Sequence, residues 1–144
     1  MSKYDKIKLE NQLCFPLYAL SREVIKLYKP LLDPFNLTYT QYITMLVIWE
    51  EEKINFKELA KRLYLDSGTL TPVIKKLEAM NLIIKYRNKE DDRVVTVELT
   101  DKGRELKDKV LEVPDKMLCN FKGDTENLLA LKNYLDEMIA SLEK

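Results

Sequence analysis

Two cysteines, Cys14 and Cys119, are the side chains of this sequence best suited to covalent chemistry, because it contains no histidine. The commonest general base and metal ligand is therefore missing, and two cysteines 105 positions apart do not have the spacing of a zinc site. No glycine-rich phosphate loop is present either. We therefore expect no metal, no cofactor and no nucleotide-driven enzyme.

Cys14 begins a row of side chains with helical spacing, which comprises Tyr18, Ser21, Ile25 and Tyr28. Hydroxyl groups on such a face can stabilise a thiolate, the nucleophilic form of cysteine. Pro16 either opens a new helix, with its positive end at Cys14, or kinks a continuous helix beside the sulfur. On these residues alone, a small buried side chain is the simpler interpretation of Cys14.

Residues 55–100 have the pattern of two short helices joined by a turn and followed by a basic hairpin. Asn55 and Glu58 make an approximate capping box at the start of the first helix. The β-branched and aromatic runs at 82–87 and 93–99 predict a two-stranded wing. This order is typical of a winged helix-turn-helix, which binds double-stranded DNA.

The second helix of this segment is predicted to start near Ser67 to Thr69, where small hydroxyl residues can cap it. Pro72 is tolerated only near a helix start, and this places the start close to Thr69. Asn81 ends the helix, because asparagine accepts a left-handed conformation.

Polar and basic side chains on this helix and on the wing are placed to contact DNA, where long cations reach phosphates or a narrow minor groove. Those on the helix are Thr69, Thr71, Lys75 and Lys76. Those in or beside the wing tip are Lys85, Arg87, Lys89 and Arg93. Taken alone, the hairpin is equally well explained as a solvated surface element, but the two helices before it favour DNA binding.

The charge distribution agrees with DNA binding although the formal net charge is zero. Residues 57–93 carry nine basic and six acidic side chains, whereas residues 94–144 carry eight basic and eleven acidic ones. Because the local excess is modest, specific contacts and dimerisation must supply much of the affinity.

The composition indicates a single domain, with 144 residues, 46% hydrophobic content and only three glycines. Together with helical periodicity over most of the length, this predicts a mostly α fold with a small β-wing. The N-terminus lacks the apolar core of a signal peptide, and no stretch approaches the roughly 20 apolar residues of a membrane span. We expect a cytoplasmic protein without a membrane partner.

Helical patterns precede the DNA-binding segment. A helical region at 6–29 is predicted to stop at Lys29, because proline disfavours helical geometry in the residue before it. Thr38 and Gln41 form a capping box for a helix that runs to about Glu52. Its apolar stripe consists of Tyr42, Met45, Leu46 and Trp49.

Helical patterns also follow the segment. Thr100 caps a helix through about Glu112, which is interrupted near Pro114, and Asp124 caps the last helix. The last helix has an apolar stripe that consists of Leu128, Leu131, Leu135, Met138 and Leu142. We expect the N- and C-terminal helices to pack in a two-fold homodimer, which would deliver two recognition helices to successive major grooves. The alternative is that the stripe packs within one chain.

Several motifs resemble the MarR family of winged-helix repressors: residues 63–72 (LYLDSGTLTP), residues 91–93 (DDR) and residues 99–103 (LTDKG). Others resemble its organic-hydroperoxide-sensing branch, OhrR: residues 11–15 (NQLCF), 28–30 (YKP) and 37–42 (LTYTQY). The resemblance covers nearly the whole chain. It implies one MarR-like domain over 1–144, with dimerisation helices at 6–29 and 101–143 and the winged helix at 55–100.

The resemblance also implies roles for individual residues. Asp91 would brace the wing and Arg93 would approach the minor groove. The recognition helix would present Ser67, Thr69, Thr71, Lys75 and Lys76.

For the cysteines, the resemblance implies a redox centre shared between subunits. Cys14 corresponds to the peroxide-reactive cysteine, with Tyr28 and Tyr39 as hydrogen-bonding partners across the dimer, and Tyr18 lies on the same face. Cys119 corresponds to the resolving thiol of the opposite subunit. Its apolar neighbours leave a second interpretation, that of core filler.

Three functions follow from these observations. The leading hypothesis is a dimeric repressor that releases a pseudo-palindromic operator when an organic hydroperoxide oxidises Cys14 to a sulfenic acid, which then forms a disulfide with Cys119 of the partner subunit. The second is a MarR-type repressor relieved by a small aromatic or acidic ligand, with inert cysteines. The third is a thiol peroxidase, which would leave the recognition helix and the wing without a role.

Overall fold

The computed structural model describes residues 2–143, which form seven α-helices and one small sheet. The helices are α1 (Cys14–Leu32), α2 (Tyr39–Glu51), α3 (Phe56–Arg62), α4 (Ser67–Ala79), α5 (Asp101–Lys109), α6 (Val113–Leu118) and α7 (Thr125–Leu142). The strands are β1 (Lys53–Asn55), β2 (Ile83–Arg87) and β3 (Val95–Leu99), and short 3₁₀ turns cover Lys3–Ile7, Leu9–Asn11 and Asp33–Phe35. The prediction of a mostly α winged helix-turn-helix is confirmed.

The sheet has three antiparallel strands in the order β1-β3-β2, so the prediction of a two-stranded wing was incomplete. β1 pairs with β3, with Ile54 opposite Val97 and both side chains buried. The strand exists because Glu52 takes a positive φ of 64°, which ends α2 and sends the chain into an extended conformation. The carbonyl of Glu52 then accepts a hydrogen bond from the Leu99 N–H at 2.9 Å.

The N-terminal helix differs from its predicted bounds of 6–29. Residues before Cys14 form only 3₁₀ turns, and α1 continues through Pro30 to Leu32. Pro30 removes one helical hydrogen bond and disfavours helical geometry at Lys29. Burial compensates for this cost, because the side chain of Leu32 is completely buried in the core.

Helix α4 begins at Ser67 and is capped by Asp66, whose carboxylate accepts a hydrogen bond from the Thr69 N–H at 2.7 Å. The prediction of a hydroxyl cap was therefore wrong. Pro72 is the sixth residue of the helix, in its second turn rather than its first, so it did not locate the start. The prediction for Asn81 is confirmed, because its φ is 63° directly after the helix end.

The core lies between α2, α3, α4 and the sheet. The capping box of Thr38 and Gln41 is confirmed, and α2 is the most deeply buried helix. Its side chains Met45 and Ile48 are fully buried, whereas Leu46, predicted in the apolar stripe, is exposed. Leucines and isoleucine from the next two helices close the core, namely Leu59, Leu70, Ile74 and Leu77.

The C-terminal helices are capped as predicted by Thr100 and Asp124. The first of them ends at Lys109 rather than near Glu112, and the separate helix α6 follows. None of the 18 residues of α7 is fully buried; of its predicted apolar stripe, Leu128, Leu135 and Met138 are half-buried, whereas Leu131 and Leu142 are exposed. Within residues 2–143, no helix has the length and apolar character needed to span a membrane.

Candidate DNA interface and redox centre

The recognition helix α4 has one buried face and one free face. Leu70, Ile74 and Leu77 are completely buried, and they anchor the helix on α2 and the sheet. The opposite face exposes four of the predicted DNA-binding side chains, which are Ser67, Thr69, Lys75 and Lys76. This separation holds the helix rigidly while its polar face stays available to DNA.

Thr71 is less available than predicted. Its side chain is half-buried, and its hydroxyl donates a hydrogen bond to the Ser67 carbonyl at 2.6 Å. The carbonyl that loses its helical donor at Pro72 is that of Gly68, so the Thr71 hydroxyl does not replace the missing proline N–H. The Thr71 hydroxyl is nevertheless engaged within its own helix.

The wing tip is organised by Asp91. Its carboxylate accepts hydrogen bonds from Arg93 Nε at 3.0 Å, from an Arg93 guanidinium NH₂ at 3.2 Å and from the Arg93 backbone N–H at 3.0 Å. The Arg93 side-chain and backbone donors, with the nearby charge of Lys57, lower the pKa of Asp91 below its ordinary value. The arrangement supports the predicted bracing role of Asp91.

Arg93 and Arg87 differ in how far their guanidinium groups are available to bind DNA. The Arg93 side chain is 89% exposed, so it is oriented by Asp91 and still open to a ligand. Arg87 donates from Nη1 to the Asp92 carbonyl at 2.8 Å, which ties the strand to the wing loop. Arg87, predicted to bind DNA, therefore also has a structural contact.

A groove of about 550 Å³ separates α4 from the wing. Ser67 at the start of α4, Arg93 on the wing and Phe56 at the start of α3 all line it. Lys57, in the first turn of α3, lines the same groove and is exposed. Lys57 was not among the predicted DNA-binding residues, although its place two residues after the Asn55 cap puts it in the first turn of α3.

Cys14 is the first residue of α1, and its thiol is free and exposed. Pro16 is the third residue of the helix, where a backbone N–H would have no intrahelical acceptor, so its absence costs no helical hydrogen bond. The interpretation in which Pro16 opens a new helix is confirmed, and the kinked helix is wrong. In the single chain Cys14 is also not a buried side chain, and neighbouring Tyr18 is exposed beside Arg22.

Tyr28 and Tyr39 form an aromatic cluster with Tyr42. The ring centroids of Tyr28 and Tyr39 lie 4.7 Å apart, and those of Tyr28 and Tyr42 lie 5.8 Å apart. Burial, with a smaller effect of the neighbouring phenols, raises the pKa of Tyr28 to about 12. Burial also raises the pKa of Tyr39. Both phenols therefore keep their protons at neutral pH and can act as donors.

The tyrosine cluster does not meet Cys14 within one chain. Cys14 and Tyr28 lie at opposite parts of α1, separated by about 21 Å of helix at 1.5 Å per residue. A contact between the Cys14 thiol and these phenols therefore requires a second chain.

Cys119 directly follows α6, a helix that packs against α1. Its thiol is free and exposed, although Met117 two residues earlier is buried. The interpretation of Cys119 as core filler is thus wrong for the single chain. The structure leaves both thiols accessible and does not bring them together.

The chain is similar to known transcriptional regulators over nearly its whole length. The profile of the transcriptional regulators SarA/Rot matches residues 26–110. The organic hydroperoxide resistance transcriptional regulator of Bacillus subtilis is 47% identical over 143 residues, covering 99% of this chain and 97% of that protein. The chain belongs to the MarR-type family of SarA/Rot transcriptional regulators.

Solved structures of MarR-type regulators have the same fold. Reduced AbfR of Staphylococcus epidermidis bound to DNA is 30% identical, with a TM-score of 0.83 and coverage of 98% of this chain and 96% of AbfR. The disulfide form of AbfR is 32% identical, with a TM-score of 0.64 and coverage of 97% and 93%. This MarR-type chain is therefore a DNA-binding transcriptional regulator and not an enzyme, and the thiol peroxidase hypothesis is wrong.

Proposed function

We propose that this MarR-type regulator is a homodimeric cytoplasmic repressor that releases its operator when an organic hydroperoxide oxidises Cys14. The observation that carries the proposal is the free, exposed thiol at the first residue of α1, in a chain 47% identical to a regulator of organic hydroperoxide resistance. Exposure is what a sensing thiol needs, because the oxidant must reach the sulfur.

Exposed apolar side chains on α1 and α7 support the homodimer. Only Leu32 is buried in α1, and no residue is buried in α7. The exposed apolar side chains of these two helices include Phe15, Leu17, Leu20, Ile25, Leu129, Leu131, Ile139 and Leu142. Exposed apolar faces on two long helices favour an obligate interface, and we propose that in this dimer Cys14 of one subunit meets the tyrosine cluster of the other.

The sensing reaction needs only the two thiols and the peroxide. The Cys14 thiolate attacks one peroxide oxygen, the O–O bond breaks, and the products are a sulfenic acid and an alkoxide that takes up a proton to leave as the alcohol. The thiol of Cys119 of the partner subunit then attacks the sulfenic sulfur, which forms the disulfide and releases water. Protonated Tyr28 and Tyr39, with Tyr18, are the proposed donors to the Cys14 sulfur.

The proposed DNA contacts are the exposed polar face of α4 and the wing. They comprise Ser67, Thr69, Thr71, Lys75 and Lys76 on the helix and Arg87 and Arg93 on the wing, with Asp91 as the brace. The similarity of the fold to that of reduced AbfR bound to DNA, with a TM-score of 0.83, supports this assignment. Two such units on one dimer would read a pseudo-palindromic operator.

A cavity beside Tyr39 favours a second candidate function. It has a volume of about 280 Å³, and apolar Ile25 and Leu37 line it together with Lys26, Lys29 and Asp33. The apolar walls suit a small aromatic ligand, and an acidic ligand would compete with Asp33 for the Lys29 ammonium, which lies 3.2 Å from that carboxylate. In this alternative, ligand binding relieves repression and both cysteines are inert.

DNA binding with and without peroxide separates the two candidates. The reduced protein first selects a duplex from random-sequence DNA, and its affinity is then measured before and after addition of cumene hydroperoxide. We expect the parent protein to lose affinity and Cys14→Ser to retain it. If the parent protein keeps its affinity while Cys14 stays reduced by mass spectrometry, peroxide sensing is wrong and the ligand-relieved repressor is favoured.

A further inference from the structure

We propose that Thr100, Lys102 and Gly103, at the start of α5, are positioning residues that set the orientation of the recognition helix. They lie outside the α4 face proposed to contact DNA. They contact Met80 to Leu82, the three residues that follow α4, and so join the end of the recognition helix to the C-terminal helices.

Three hydrogen bonds, which we call the joint, run from the start of α5 to three consecutive backbone carbonyls after α4. Lys102 Nζ donates to the Met80 carbonyl at 2.9 Å, and the Thr100 hydroxyl donates to the Asn81 carbonyl at 2.7 Å. The Thr100 N–H donates to the Leu82 carbonyl at 3.1 Å. Carbonyls at a helix C-terminus lack intrahelical partners and carry partial negative charge, so the Lys102 ammonium is also electrostatically favourable.

Gly103 lets the two segments approach this closely. A Cβ atom at this position would lie 2.3 Å from the Leu82 carbonyl oxygen and 2.7 Å from Leu99 Cδ1. The carbonyl of Gly103 in turn accepts a buried hydrogen bond from Trp49 Nε1 at 2.8 Å. The start of α5 is therefore fixed on one side to α2 and on the other to the end of the recognition helix.

The path of the chain after α5 connects the joint to α6 and α1. The chain runs from α5 through residues 110–112 into α6, which packs against α1. The recognition helix ends at Ala79, and beside the buried Leu77 in its last turn, the joint is what links this end of the helix to α5. A change in the angle between α4 and α5 moves base-reading side chains off their targets but leaves the charges that attract the phosphates.

Lys102 offers the cleanest test, because its side chain is exposed and takes no part in the core. Lys102→Met removes the donor, Lys102→Arg restores one, and Lys109→Met removes an equal charge from the same helix. The affinity of each variant is measured for a duplex selected from random-sequence DNA by the parent protein and for a duplex of scrambled sequence. Thr100→Val and Thr100→Ser form a second pair, in which only serine keeps the hydroxyl.

We expect Lys102→Met to raise the Kd for the selected duplex about threefold to tenfold relative to Lys109→Met, with equal Kd values for the scrambled duplex. Lys102→Arg should recover most of the selectivity, and Thr100→Val should lose it while Thr100→Ser does not. Equal losses for Lys102→Met and Lys109→Met would overturn the proposal, because charge alone would then explain the effect. Equal losses of Lys102→Met on both duplexes, with a lowered Tm, would also overturn it.

Discussion

Tyr28 and Tyr39 come from different helices, and their rings lie against each other with centroids 4.7 Å apart and planes tilted by 46°. Burial keeps both phenols protonated, so each presents an O–H donor rather than a charge. Because Cys14 lies at the far end of α1, these donors could reach a Cys14 thiol only in the proposed homodimer.

The double change Tyr28→Phe with Tyr39→Phe should slow the oxidation of Cys14 while leaving the affinity of the reduced protein for DNA nearly unchanged. A thiolate that loses two hydrogen-bond donors is less populated and less reactive. The rate is measured by stopped-flow loss of free thiol after addition of cumene hydroperoxide. Tyr86→Phe, on the wing, is the matched control, and a double variant that oxidises as fast as this control would remove both tyrosines from the site.

Peroxide should link two chains through Cys14 of one and Cys119 of the other. A disulfide requires Cα atoms within about 7 Å, so its formation would draw the N-terminal region of one subunit against the C-terminal region of its partner. Non-reducing electrophoresis should give a covalent dimer for the parent protein. Cys119→Ser should form a sulfenic acid at Cys14, trapped by dimedone, but no covalent dimer. A parent protein that stays monomeric on the gel would reduce the mechanism to Cys14 alone.

Arg93→Ala should weaken binding to the selected duplex by about 1–3 kcal/mol if the guanidinium enters a minor groove. Lys75→Ala or Lys76→Ala should instead lower the slope of log K against log salt by about 0.9, the value for one phosphate contact. Fluorescence anisotropy over a salt series measures both quantities. Unchanged affinity and slope in all three variants, with native circular dichroism, would contradict the assignment of recognition helix and wing.

The Asp66 cap should make the stability of the protein depend on pH. Hydrogen bonds from Thr69 lower the pKa of this carboxyl in the folded protein below its ordinary value. The cap therefore stabilises the fold above the ordinary pKa, and this contribution is lost as the pH falls through the lowered pKa. Melting temperatures from about pH 7 to about pH 3 should converge for the parent protein and Asp66→Ala. A constant difference over that range would show that the carboxylate charge is not involved.

Leu131→Glu should dissociate the proposed homodimer, because it places a charge on the exposed apolar face of α7. Sedimentation velocity should give a monomer for this variant and a dimer for the parent protein. Asn133→Glu adds the same charge to the same helix at an exposed polar position and should remain dimeric. A dimeric Leu131→Glu protein would place the interface away from this face.

The features that the sequence predicted best depend on neighbouring residues. The caps formed by Thr38, Asn55 and Asp124 are local hydrogen bonds between side chains and nearby backbone groups, and each was correctly located. In contrast, β1 spans three residues without a period of its own, and it exists through its pairing with β3 some forty residues later. The continuation of α1 through Pro30 likewise depends on the burial of Leu32 in the assembled core.

In the candidate site, the sequence predicted which residues take part but not how exposed they are or which groups they contact. The cations were identified by type and spacing, and the roles of the cysteines and tyrosines were implied by the family resemblance. The exposure of Cys119 and the contact of Arg87 with the Asp92 carbonyl depend on tertiary structure. Lys57 was overlooked because only the folded chain places the first turn of α3 in the groove between α4 and the wing.

The small strand β1 has a consequence for the way this regulator leaves DNA. Its backbone hydrogen bonds fasten the connection between α2 and α3 to β3, the central strand of the wing. The base of the wing, at 96–98, is therefore held to α2 and α3, beside the proposed recognition helix α4. Release from the duplex should then be one concerted kinetic step, in which both grooves are vacated together and no half-detached complex accumulates.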